Sequence, residues 1–277
     1  MTRLPNFLYI GPDKAGSSWL HEVLMSHPQV FMTPAKDLYY FDRYYDKGID
    51  WYAAHFSRAT GETIVGEVCQ DYLFHPEAAQ RIQDTLDSPR FMVTLRDPVD
   101  RAFSSYLYML KMGERPGTFA DALVGRPELF DHGRYGSGLD RFADRFGDDS
   151  VHVTVFDDLQ EDPQAFVDGV LRFLEVAPLS LDGELLEARL PASRARSAGL
   201  ARFARLAADW TRVHNGAAVV GRVKRAAIVQ RVLYQPLHER PQIEAEDAAR
   251  IRAELDGDLR RVEERFGIDL RGRWGWQ

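Results

Sequence analysis

The chain has one cysteine, Cys69, in 277 residues. No internal disulfide can form, and a small disulfide-stapled fold is excluded. No cysteine and histidine cluster has the spacing of a structural zinc site. No apolar run approaches the ~20 residues that cross a bilayer as a helix. Positive charge is not in excess: 35 Lys and Arg face 42 Asp and Glu, a formal net charge of -7. That balance argues against a general nucleic-acid binder and leaves room for a local basic pocket. The opening MTRLPNFLYIG has no long apolar core and no small-residue cleavage site, so it reads as a first strand rather than a leader. These absences lead to the expectation of a cytoplasmic protein with no membrane and no nucleic-acid partner.

What remains is an ordinary globular composition, 45% hydrophobic and 28% charged, long enough for a sizeable core. Short apolar runs at 6–10, 30–32, 63–68, 91–95 and 151–156 read as strands. Helical spacing of apolar residues appears after Ser17, over 78–86, 99–111 and 163–174. Strands alternating with helices predict a parallel sheet with helices on both faces. After Pro191 the chain turns rich in Ala and Arg. No strand signal appears over 192–233, where two helices are expected around Gly216, then a loop at Gln235-Pro236 and a charged helix over 243–266. The whole is expected to be one domain, an α/β core over 1–180 with a mainly helical section over 181–277.

Residues 8–18 read LYIGPDKAGSS. Strand, glycine loop and helix follow one another, the setting in which such a loop binds oxyanions. Gly11 and Gly16 let the backbone curl toward an anion, Lys14 adds charge, and Ser17 and Ser18 add hydroxyls. The spacing is nearly that of the ATP-binding G-x-x-x-x-G-K-[ST]. However, Ser17 stands where the lysine belongs and Lys14 has moved inside the loop, which leaves the usual Mg²⁺ arrangement in doubt.

A second stretch, TLRDPVDRAFSSY at 94–106, runs from a buried strand into a helix. Arg96 emerges at the carboxyl end of that strand, where open α/β sheets bind ligands, and Ser104 follows on the helix. Together GPDKAGSSWL and LRDPVDRAFSSY resemble the two cofactor loops of sulfotransferases that use PAPS (3′-phosphoadenosine 5′-phosphosulfate). Further segments resemble the heparan-sulfate-type (N- and 3-O-sulfotransferase-like) branch: YDKGIDWYAAHF at 45–56, GEVCQDYLF at 66–74, the stretch from Gly133 to Pro163, and the closing FGIDLRGRW. The likeness is weakest over 180–240.

The resemblance implies a P-loop-like three-layer fold and PAPS as cofactor, with PAP as product and no metal required. It implies that Lys14, Ala15, Gly16, Ser17, Ser18 and Trp19 hold the 5′-phosphosulfate and that Arg96 and Ser104 hold the 3′-phosphate. Arg194 and Arg196, in RARS, stand where the family often places basic residues near the cofactor. Lys14 would stabilise the leaving phosphate, and Ser104 would hold Lys14 back until the acceptor binds. A carboxylate should take the proton of the attacking group. In KDLYYFD, 36–42, the aligned carboxylate is Asp37, one methylene shorter than the branch's glutamate. Glu67 is its rival, with Asp71 and His75 behind it, and Val68 replaces the branch's lysine. Tyr39, Tyr40, Phe41, Trp51, Asp71 and Tyr72 are expected at the acceptor cleft, with simple core packing the competing reading for about half of the aromatic residues.

The function so implied is sulfuryl transfer to a hydroxyl or amine of a small-molecule or carbohydrate-like acceptor. The Arg/Ala-rich composition fits a GC-rich bacterial genome and a tailoring role on a natural product. A homodimer is left open. Two alternatives stand beside this reading: a P-loop-type kinase, and a PAPS- or PAP-binding protein that has lost its chemistry.

Overall fold

A computed structural model describes residues 3–187, 193–195, 234–236 and 241–276. Five strands form one parallel sheet: β1 (Phe7–Gly11), β2 (Val30–Met32), β3 (Ile64–Val68), β4 (Arg90–Leu95) and β5 (Val151–Val155), in the order β2-β3-β1-β4-β5. Every residue of β1 and β3 is buried. Unbroken apolar runs such as FLYIG and FMVTL are what a sheet covered on both faces requires. The period of two divides β1 cleanly. Leu8 and Ile10 point into one core, with Val65, Phe91 and Val93 beside them, while Phe7 and Tyr9 point into another with Met92.

Helices fill both sides. On the Phe7 and Tyr9 face lie α1 (Ser17–Ser26), through Leu20, Val23 and Leu24, and a later helix through Val167, Val170 and Leu171. The opposite face is joined first by two short helices, α2 (Ile49–Ala54) through Tyr52 and α3 (Ala78–Thr85) through Ala78, Ala79 and Ile82. It also carries α4 (Pro98–Lys111). The chain continues through α5 (Phe119–Gly125), α6 (Glu128–Asp131), α7 (Tyr135–Phe146), α8 (Phe156–Glu161), α9 (Pro163–Leu174, the later helix of the first face) and α10 (Gly183–Glu187). The three-layer architecture is the one expected, and its structural neighbours, given below, share it.

The connections explain where a ligand can sit. The chain leaves β1 toward β2 on one side and leaves β4 toward β5 on the other. The crevice between the carboxyl ends of β1 and β4 is therefore the switch point at which open α/β sheets bind ligands. The glycine loop follows β1 and Arg96 follows β4, so both motifs reach it.

The Ala/Arg-rich stretch departs from expectation at its edges. Ser193–Ala195 and Tyr234–Pro236 form two short strands, β6 and β7, that pair antiparallel with Arg194 opposite Gln235. A three-residue strand shows no alternation, and a partner some forty residues away leaves no local trace, so a loop was the natural reading. The two helices expected around Gly216 lie outside the described residues.

The final long helix, α11 (Ala245–Phe266), buries Ile251, Leu255, Leu259 and Val262, the apolar positions expected of it. Its Asp258 accepts hydrogen bonds from the Gly136 and Ser137 amides at 2.6 and 3.1 Å, capping α7 from another element. After α12 (Leu270–Arg273), Trp276 donates its indole N–H to Asp97 at 2.9 Å. Asp97 is itself the N-cap of α4, accepting from the Val99 amide at 2.7 Å. The C-terminal end of the chain thus braces the turn that presents Arg96.

Candidate active site

The glycine loop begins where β1 ends. Gly11 has φ 134°, and a Cβ there would lie 2.6 Å from the Gln70 carbonyl oxygen. Lys14 sits at φ 62°, a left-handed conformation uncommon for a lysine. Gly16, at φ 84°, is the N-cap of α1, and no side chain caps the first turn. The first-turn amides therefore face the crevice with the positive end of the helix dipole behind them. Ser18 is exposed at that end, Ala15 is buried, and Ser17 is buried with its Oγ accepting from Lys36 Nζ at 3.0 Å. Trp19 donates its indole N–H to the Leu185 carbonyl at 2.6 Å, which docks α10 onto α1.

Arg96 binds this loop directly. Its Nη1 donates to the Lys14 carbonyl at 2.8 Å, its guanidinium lies 4.8 Å from the Phe156 ring centroid, and its own carbonyl accepts from the Tyr135 hydroxyl at 2.7 Å. The two motifs, 82 residues apart, are one structure. Beneath them Asp13 accepts from Arg101 Nη1 at 2.8 Å and from Ser105 Oγ at 3.1 Å. Burial works against the Asp13 carboxylate, yet the Arg101 charge holds it well below the usual range. Arg101 is itself fully buried, so this pair is a deep anchor for the loop.

Lys36 and Asp37 enter from the segment after β2. Asp37 adopts φ 62°; its amide donates to the Val68 carbonyl at 2.6 Å and its Oδ1 accepts from the Gln70 amide at 3.3 Å. Those bonds fix a carboxylate at the end of β3, beside the loop. Burial pushes the Lys14 ammonium down to about 8; Lys36 and Arg101 add to the effect, while Asp13 and Asp37 oppose it. Lys14, Lys36 and Asp37 therefore share one electrostatic neighbourhood.

Glu67 is elsewhere in kind. It lies within β3 and is fully buried. Tyr72 donates its hydroxyl to Glu67 Oε1 at 2.7 Å and accepts from the Tyr40 amide at 3.0 Å. Burial pushes the Glu67 carboxyl up to about 7, against the pull of the Tyr52 and Tyr72 hydroxyls. This chain of bonds supports the backbone that carries Asp37; it does not present Glu67 to an acceptor.

The aromatic residues divide in the same way. Tyr40, Phe41 and Tyr72 are packed into the main core, Tyr40 stacked on Tyr52 with centroids 4.4 Å apart. They are not cleft walls, because the apolar period that reads as a binding surface is here satisfied by other rings. Trp51 is half-buried beside Tyr44 and His55. Tyr39 is half-buried at φ 57°, with the Arg43 guanidinium 4.0 Å above its ring. Arg43 also pairs with Asp71, whose carboxyl burial pushes up to about 6. Arg194 lies on β6, and Arg196 lies outside the described residues.

Four residues of this neighbourhood escaped the sequence: Asp13, Lys36, Arg101 and Tyr108, whose ring centroid lies 3.4 Å from Lys14 Nζ. Arg101 had a signal, the second arginine of RDPVDR. Lys36 had one too, its place beside Asp37. Asp13 and Tyr108 owe their positions to contacts that no spacing reports. Among the described residues no group of three or more His, Cys, Asp or Glu could hold a metal ion, and no helix is long and apolar enough to cross a membrane.

The sheet order and the loop at its switch point define a P-loop-like α/β protein. The Sulfotransferase domain model matches residues 4–190, and the chain belongs to that family. It is 37% identical over 115 residues to the membrane-associated sulfotransferase kil1 of Dictyostelium discoideum, covering 40% of this chain and 24% of that protein. The human bifunctional heparan sulfate N-deacetylase/N-sulfotransferase 3 is 28% identical over 199 residues, 64% of this chain and 23% of the relative. The human heparan sulfate glucosamine 3-O-sulfotransferase 3B1 is 37% identical over 108 residues, 39% of this chain and 27% of the relative. The chain thus aligns with about a quarter of the length of these relatives. Among solved structures, a sulfotransferase from Alicyclobacillus acidocaldarius superposes with a TM-score of 0.60 at 26% identity, covering 79% of this chain and 96% of that one. A mouse sulfotransferase in complex with PAP superposes at 0.51 with 16% identity, covering 94% and 85%, and supports the fold.

Proposed function

We propose that the chain transfers a sulfuryl group from PAPS to a hydroxyl or amine of a small-molecule or carbohydrate-like acceptor. The observation that carries this reading is the meeting of Lys14, Arg96 and Asp37 at the carboxyl ends of β1, β4 and β3, with Arg96 bonded to the loop that bears Lys14. The donor set fits the cofactor: uncapped amides at the start of α1, a lysine in the loop that precedes them, and a guanidinium at the end of β4.

PAPS, when bound, supplies the sulfuryl group. The α1 amides, Lys14 and Lys36 would hold its anionic 5′ end, and Arg96 with Ser104 would hold the 3′-phosphate. The Lys14 ammonium would supply positive charge to the leaving oxygen, and the Asp13–Arg101 anchor holds the loop that carries it. The Asp37 carboxylate takes the proton of the attacking hydroxyl. Its backbone position is set by Val68 and Gln70: the side chain is carried on a left-handed residue tied to the end of β3.

The test is PAPS-dependent transfer to a panel of phenolic, alcoholic and sugar acceptors by wild type and Asp37→Asn. Loss of general-base action should lower kcat by ~10²–10⁴ with PAP affinity unchanged. Full turnover by Asp37→Asn would remove Asp37 from the mechanism. Transfer of phosphate from ATP with Mg²⁺, and none from PAPS, would return the loop to the kinases.

A further inference from the structure

The family resemblance assigns the restraint of Lys14 to Ser104. The Ser104 side chain makes no hydrogen bond among the described residues. One turn further along α4, the ring of Tyr108 lies beneath the lysine, with Nζ 3.4 Å from the ring centroid. Among the described residues Nζ has no hydrogen bond or ion pair. The carboxylate of the preceding residue, Asp13, is committed to Arg101 through Oδ1 and to Ser105 through Oδ2. The aromatic face is the partner that the ammonium has.

Backbone and side chain of Lys14 are controlled separately. The backbone is fixed at φ 62° and through its carbonyl by Arg96. Only the side-chain torsions remain, and they decide whether the ammonium lies on the ring or points at the α1 amides. Tyr108 is 44% exposed, so its ring lies at the surface rather than in the core. Solvent screens a cation on a partly exposed ring more than one in a buried site, and the hold is correspondingly modest and reversible.

We propose that Tyr108 is a positioning residue: its aromatic face holds the Lys14 ammonium aside in the free enzyme, and an anion at the start of α1 draws the lysine off it. This rests on the reading of the glycine loop as the anion site. Its consequence is a competition. Part of the binding free energy of any phosphate at the loop is spent on removing Lys14 from the ring, and a side chain without a π face should release it.

The experiment is calorimetric titration of PAP into wild type, Tyr108→Phe, Tyr108→Leu, Lys14→Ala and the Lys14→Ala/Tyr108→Leu double variant. Tyr108→Leu should bind PAP about two- to fivefold more tightly than wild type, the scale of an exposed cation–π contact. Tyr108→Phe, which keeps the face, should match wild type. In the Lys14→Ala background the Tyr108→Leu gain should vanish, a result that a general change in the crevice would not give. The inference is overturned if Tyr108→Leu leaves PAP affinity unchanged or lowers it, or if the gain persists without Lys14. Wild type that binds PAP, weakened by Lys14→Ala and indifferent to Tyr108→Leu, overturns this inference alone. Wild type that does not bind PAP overturns the anion-site reading and this inference with it.

Discussion

Replacing Glu67 by glutamine separates structural from chemical roles at this site. The carboxyl is fully buried, accepts from the Tyr72 hydroxyl at 2.7 Å, and titrates at about 7 in the fold against 4.5 for a free glutamate. Below pH 4.5 both folded and unfolded chains hold the proton, and its contribution to stability is fully present. Between 4.5 and 7 the unfolded chain loses the proton first, so stability falls, and the loss is complete once the folded group has titrated. The difference corresponds to about 3 kcal/mol, most of which falls between pH 5 and pH 8. Glu67→Gln keeps an acceptor for Tyr72 and removes the titration. Urea unfolding at pH 5 and pH 8 should therefore show wild type losing roughly 2–3 kcal/mol more than the variant over that interval. The variant should also keep kcat within a few-fold. A wild-type-to-variant difference that does not change with pH would refute the buried-carboxyl reasoning. A well-folded Glu67→Gln enzyme without turnover would make Glu67, not Asp37, the base.

Three further outcomes follow from the same geometry. Lys14 titrates at about 8 and is needed as the ammonium, so kcat/KM for PAPS should fall as pH rises through 8. Lys14→Ala should remove that limb and lower kcat by ~10²–10³. Gly16→Ala places a Cβ 2.5 Å from Leu159 Cδ2 at φ 84°; it should cost about 1–3 kcal/mol in thermal or urea unfolding and weaken PAP binding, because α1 must shift. Asp97→Ala removes the α4 cap and the Trp276 contact; the expected loss of about 1–2 kcal/mol should come with a raised KM for PAPS, since Arg96 is the neighbouring residue.

Much of the sheet was legible because its strands are buried on both faces. FLYIG and FMVTL leave no other reading once glycine or Arg-Asp-Pro stops them. The long helices were legible for the opposite reason, a one-sided stripe such as Ile251, Leu255, Leu259 and Val262. The pair β6 and β7 was not, since neither is long enough to show a period. In the candidate site, Lys14 and Arg96 were proposed from the two motifs and Asp37 from the family resemblance. What spacing could not show is who holds them. The Asp13–Arg101 anchor, the Lys36–Ser17 bond and the Tyr108 ring under Lys14 are tertiary contacts between residues that look like ordinary surface or core positions in one dimension. The aromatic segment misled in the other direction. Tyr40, Phe41 and Tyr72 read as a cleft, yet they fill the core with Tyr52 and Phe56. Glu67 looked like a rival base because β3 delivers it near the crevice in sequence, whereas its side chain turns into the protein.

The most direct measurement is calorimetric titration of PAP, with ATP as the control ligand, into wild type and Arg96→Ala. If the loop after β1 and the arginine after β4 form a PAPS site, PAP binds wild type in the micromolar range. In that case Arg96→Ala weakens it by ~10–100-fold, the scale of losing a charge-assisted phosphate contact, and ATP binds poorly. PAP that fails to bind, or ATP that binds better in the presence of Mg²⁺, would show that the displaced lysine serves some other phosphate chemistry.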